Sequence, residues 1–275
     1  MVGMRIELGS ARQVSDLSER AGFPLTHSGG QPFPEAGYST EESSTRLLGQ
    51  LAGVASLVDE ADRTIAYWMM NGLRLPSLPI DYGALRYELT GFSGAGPRDE
   101  LPKSLGHVHA RPHGSIHGYP EIIEVLHGRI AFMVFDLQHH AAGAAGDRAW
   151  IVVGDPGDLI VLPPDYHHLT IVADRGPALF ADVIDRGAVG DYEGLRAAGG
   201  GPYLVRPSGA IDANPRWFRH PRLDVLAASE WNGGHVLDRP LGRALAEEPD
   251  QLAWLSDPDR FRERFPALAE RIALA

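Results

Sequence analysis

In GHVHARPHGSIHGYPEIIEVLHG, residues 106–128, His107 and His109 are separated by one residue. Side chains alternate across a strand, so both imidazoles point to the same face and can share one ion. Glu121 opens the apolar run EIIEVL, which ends at a turn at Gly128, and its carboxylate sits where the next strand begins. Further on, GDPGDLIVLPPDYHHLTIV (154–172) leads from a Gly-Asp turn through a short apolar strand to Pro163-Pro164 and the pair His167-His168. Adjacent strand residues face opposite ways, so at most one of that pair turns inward. Three imidazoles and a carboxylate make a nitrogen and oxygen site for one divalent ion such as Fe, Mn, Ni, Zn or Co, with positions left for water or substrate. Glu124 belongs to the other face of its strand and is expected to be solvated. His113, His117, His127, His139 and His140 read as loop or surface residues, with His117 the next candidate for the site.

Outward from this stretch the chain reads as all-β. Short apolar runs recur at 84–90, 121–126, 130–137, 149–153, 159–162, 168–172 and 178–184, punctuated by Gly, Pro and Asp in the rhythm of a sandwich or barrel. The 32 Gly and 21 Pro, spread along the chain, favour many short strands over long helices. The barrel is assigned to 82–218. Residues 1–81 read as an elaboration packed on it, with a helix expected over 43–62, where Leu47, Leu48, Leu51, Val54, Ala55 and Val58 fall near a 3.6 spacing. Residues 219–275 read as a helical C-terminal extension, through 241–248 and 258–275. HHAAGAAGD, 139–147, reads as a loop tip.

With 25 basic against 36 acidic residues, the formal charge is −11. Nucleic acid and anionic membranes are repelled by that charge, whereas a few N–H groups and hydroxyls can still hold one small sugar phosphate. The chain has no cysteine, which excludes disulfides, thiolate metal sites and a cysteine nucleophile. No apolar run reaches the roughly 18–20 residues that span a bilayer, and MVGMRIELGS lacks the layout of a signal peptide. A cytoplasmic protein is expected.

Taken in order, G-H-x-H with E-x6-G and then G-x5-P-x4-H are similar to the two motifs of the cupin superfamily. In finer detail the chain resembles the cupin-type glucose-6-phosphate isomerases of archaea and some bacteria. Gly106-His107-Val108-His109-Ala110 looks like their G-H-[FY]-H-A, and Leu162-Pro163-Pro164 with His168 looks like V-P-P…H-R-T. Asp191-Tyr192 resembles D-Y-G, and Asp212-Ala213-Asn214-Pro215-Arg216-Trp217 resembles D-N-P-R-W. The resemblance implies a double-stranded β-helix, or jelly-roll barrel, in a homodimer that interconverts glucose 6-phosphate and fructose 6-phosphate with a metal ion. By position it implies His107, His109, Glu121 and His168 as ligands of one divalent ion per chain, with Glu121 also the candidate base. It implies Thr90, Ser104 and Gly106 as phosphate contacts and Tyr192 as a pocket residue, while Arg216 and Trp217 are expected to pack. The native metal, the choice between proton transfer and hydride shift, and the purpose of 219–275 stay open. Three sugar-side positions depart from the family: Ile123 replaces an aromatic, Ile184 a tyrosine and Gly190 a histidine. Two alternatives therefore stand: an isomerase or epimerase of another sugar or sugar phosphate, and a non-catalytic metal-dependent sugar binder.

Overall fold

Two sheets face each other in the computed structural model, which describes residues 4–8, 16–78, 83–137 and 147–272. The first has six strands in the order Leu159–Leu162, Glu121–His127, Ala178–Asp185, Leu85–Phe92, Ile65–Asn71 and Glu42–Leu47. The second has four, in the order His167–Val172, Ile130–Phe135, Arg148–Gly154 and Arg222–Ala227. Phe132 of the second sheet meets Phe180 of the first edge to face, with ring centroids 5.7 Å apart. The jelly-roll barrel that the resemblance implies is present.

Every apolar run between 84 and 184 forms a strand, with ends shifted by no more than two residues. Ile130–Phe135 has no polar positions because both of its faces are covered. Ile130, Phe132 and Val134 enter the barrel core, while Ala131, Met133 and Phe135 pack behind the sheet with Leu195, Val205 and Trp217. Trp217 also donates from Nε1 to Gly200 O (3.0 Å), a packing role as expected.

The ends of the chain differ from their sequence reading. Instead of a helix over 43–62, the strand Glu42–Leu47 is followed by a single 3-10 turn, Leu48–Leu51. Antiparallel pairing with Ile65–Asn71 supplies its backbone partners, and the Ser-Ser-Thr stretch has little helix preference to set against that pairing. Residues 219–275 open with a strand, Arg222–Ala227, that runs parallel to Arg148–Gly154. Only then do short helices follow, at Ala228–Asn232, Leu241–Glu247, Phe261–Arg264 and Pro266–Arg271. The boundary at 81/82 and most of the 139–147 tip lie outside the described residues. No helix among the described residues is long and apolar enough to cross a membrane.

The tail closes an open sheet edge. Leu159–Leu162 ends the six-stranded sheet, and an unpaired edge invites pairing with another chain. Here Trp231 Nε1 donates to Val161 O (2.8 Å), while Asn232 accepts from Val161 N–H (3.1 Å) and donates to Leu159 O (2.7 Å).

Glu124 faces away from Glu121, as alternation requires, but it is buried rather than solvated. Its Oε2 accepts the Leu241 N–H at 2.7 Å, at the start of the helix Leu241–Glu247. Burial pushes its carboxyl up to about 8, while the Leu241 N–H and Arg20 pull the other way. A folded pKa above the unfolded one means that the folded state binds the proton more tightly. That contribution is complete below the ordinary carboxylate range and is lost as pH rises through about 8. Urea unfolding across this range should therefore show Glu124→Gln losing less stability than the parent on going from pH 5 to 9, by a few kcal/mol. Equal slopes would contradict the burial argument.

Candidate metal centre

His107 and His168 lie side by side because their backbones bridge. His107 N–H donates to His168 O (3.0 Å) and His168 N–H to His107 O (2.9 Å). Gly106, at φ +77°, turns the chain into this bridge. A Cβ there would stand 2.8 Å from Leu169 Cβ and 2.9 Å from His168 O, so only glycine fits. Val108–His109 pairs with Gly190–Asp191, which brings the His109 ring to 4.8 Å from that of His107. Glu121 starts the neighbouring strand, paired with Leu162. The structure thus brings all four together: one ligand atom from each of His107, His109, Glu121 and His168 lies within 4.8 Å of the others. His107 Nε2 is 2.9 Å from His109 Nε2, and Glu121 Oε2 is 3.7 Å from His109 Nε2 and 3.5 Å from His168 Nε2. His167 turns to the other face and stacks on Phe135 at 5.8 Å.

The chemistry of this donor set fits a cation. His109 Nδ1–H donates to Tyr119 O (3.0 Å) and His168 Nδ1–H to Tyr166 O (3.3 Å). An imidazole that carries its hydrogen on Nδ1 presents a bare Nε2 lone pair. His168 Nε2 is buried with no hydrogen-bond partner, a cost that coordination would remove. Burial holds all three imidazoles below their usual range, His109 at about 4, so they are neutral at pH 7. Burial and the Glu88 charge push Glu121 up to about 8, and a cation beside it would oppose that shift. The cluster can hold a metal.

A cavity of about 140 Å³ opens on the cluster, and Thr90, Ser104, Gly106 and Tyr192 all line it. Ser104 Oγ accepts from Thr170 N–H (2.9 Å) and keeps its own hydrogen to donate. The Tyr192 ring lies 5.3 Å from that of His107. Of the three departing positions, Ile184 and Gly190 line the cavity, and Ile123 is buried. His113 is exposed in the loop, His117 pairs with Asp165 (2.6 Å), and His127 packs against His27 with ring centroids 4.3 Å apart.

Sequence reading missed Arg86, Glu88 and Asp182, which face the same cavity. In RYELT, Arg86, Glu88 and Thr90 alternate and therefore share a face, a signal that was available. Asp182 could not be read locally, because it joins the site as the cross-strand partner of Glu88. Arg86 forms an ion pair with Glu88, and Asp182 hydrogen-bonds both Glu88 and Glu121. Burial, Glu88 and Glu121 push the Asp182 carboxyl well up, as burial also does to Glu88 and Glu121, so the three buried acids share protons rather than all ionising.

The family model for glucose-6-phosphate isomerase (GPI) matches residues 57–217, more than half of the chain. It begins ahead of residue 82 and takes in the strand Ile65–Asn71. Glucose-6-phosphate isomerase of Thermococcus kodakarensis is 25% identical over 114 residues, which are 41% of this chain and 53% of that protein. The chain therefore spans about half the length of that relative. Among solved structures, a cupin 2 conserved barrel domain protein from Rhodopseudomonas palustris is 18% identical, covering 46% of this chain and 63% of its own, with a TM-score of 0.27. An oxalate oxidase in complex with the substrate analogue glycolate is 16% identical, covering 36% of this chain and 41% of its own, also at 0.27. By the extent of the family match, the chain belongs to the glucose-6-phosphate isomerase (GPI) family.

Proposed function

We propose that the protein is a metal-dependent aldose–ketose isomerase that interconverts glucose 6-phosphate and fructose 6-phosphate. One observation carries this reading: a single cavity gathers His107, His109, Glu121 and His168 with Thr90, Ser104, Gly106 and Tyr192. When bound by the three imidazoles and Glu121, a divalent ion (Fe, Mn, Ni or Zn) supplies charge stabilisation for the substrate oxygens. Glu121 carries the proton between C2 and C1 on the carboxylate oxygen that the ion leaves free. The hydrogen bond between Asp182 and Glu121 holds the Glu121 carboxyl in place. Thr90 and Ser104 hold the phosphate by their hydroxyls, and the buried wall keeps bulk water from the reacting carbons. The same reading makes the protein a cytoplasmic homodimer.

A second reading, isomerisation or epimerisation of another sugar or sugar phosphate, is favoured by Ile184 and Gly190 in the cavity wall. The test is a coupled assay from fructose 6-phosphate on chelator-stripped protein resupplied singly with Fe²⁺, Mn²⁺, Ni²⁺ or Zn²⁺. Turnover should appear only with a cation. Metal binding without turnover for any of them would overturn the assignment and direct the assay to other sugars.

A further inference from the structure

Between His109 and Glu121 the chain passes through a loop, 110–120, whose polar groups meet on one carboxylate. Asp165 Oδ1 accepts from Gly118 N–H (3.0 Å) and Arg111 Nε–H (3.1 Å), and Oδ2 accepts from His117 Nδ1–H (2.6 Å). Gly118 is pressed against the strand: a Cβ there would stand 2.5 Å from the His109 carbonyl oxygen. Asp165 has φ +67°, a left-handed conformation that Asp and Asn adopt more readily than most residues.

The neighbours of the clasped groups give this arrangement its consequence. Tyr119, next to Gly118, offers the carbonyl that accepts from His109 Nδ1–H. Tyr166, next to Asp165, offers the carbonyl that accepts from His168 Nδ1–H. One carboxylate therefore ties together the two backbone segments that set the tautomer and rotation of two of the three imidazoles.

We infer that Asp165 is a positioning residue for the metal centre: it clasps the 110–120 loop to the segment that carries His168, and so aims the His109 and His168 Nε2 atoms at a common ion. The inference rests on the metal-centre reading but can be tested separately from it. Hydrogen bonds to a carboxylate are stronger than those between neutral groups, and outer partners of metal-ligating histidines typically contribute about 10–100-fold in metal affinity.

Two readouts on the full chain decide it. In metal-free protein, imidazole nitrogen NMR should report His109 and His168 as Nδ1–H tautomers, and Asp165→Ala should convert them to mixtures. In chelator competition, Asp165→Ala should weaken Zn²⁺ binding by about 10–100-fold. Asp165→Asn, which keeps the left-handed backbone and the acceptor for Gly118 N–H, should recover much of that loss. If Asp165→Ala fails to fold, Asp165→Gly, which suits the positive φ, and His117→Ala carry the same comparison. Unchanged tautomers together with Zn²⁺ affinity within about twofold of the parent would overturn the inference. A parent protein that binds no Zn²⁺ would overturn the metal reading alone, because the tautomer comparison still decides the clasp.

Discussion

Glutamine in place of Glu121 should lower the proposed turnover of fructose 6-phosphate by about 10²–10⁴-fold, the usual worth of a positioned base. The substitution keeps the side chain's size but removes its charge and its proton affinity. Because Glu121 is buried among Glu88 and Asp182, the neutral amide should leave the metal-free fold at least as stable, so lost activity is not lost folding. Metal binding should weaken as well, since the carboxylate that would join the three neutral imidazoles is gone. Titrating metal to saturation separates the two effects. If turnover returns to within about tenfold of the parent at saturation, Glu121 is a ligand and not the base.

The second large effect comes from a residue that does not line the cavity. Trp231 is 0% exposed, packs at 5.4 Å from Trp150 and bonds the Val161 carbonyl. Trp231→Ala should cost about 3–5 kcal/mol in urea unfolding, because it leaves a cavity and a sheet-edge carbonyl without its donor. Exposing that edge should also make the variant prone to association. A loss below about 1 kcal/mol would mean that the tail rests on the barrel without holding it.

The four candidate ligands were legible because their signal is local. His107 and His109 need only a strand to share a face, and the runs around Glu121 and His168 have the length and punctuation of strands. Their meeting as one cluster was an expectation that the His107–His168 backbone bridge then met. Glu124 shows the limit of the same rule. Alternation correctly put it on the far face, but whether that face meets water or the helix Leu241–Glu247 depends on a segment more than a hundred residues away.

By itself, then, the sequence determined the strands from 85 to 185, the identity of the four metal-ligand candidates and the resemblance that joins them, because each depends on residues within a few positions of one another. Only the tertiary structure decided that Glu42–Leu47 is a strand, that the tail seals a sheet edge, that Asp182 joins the site and that Asp165 clasps the loop to it. Those outcomes depend on partners distant along the chain, and a backbone hydrogen bond or buried carboxyl takes its energy from whichever group the fold brings alongside it.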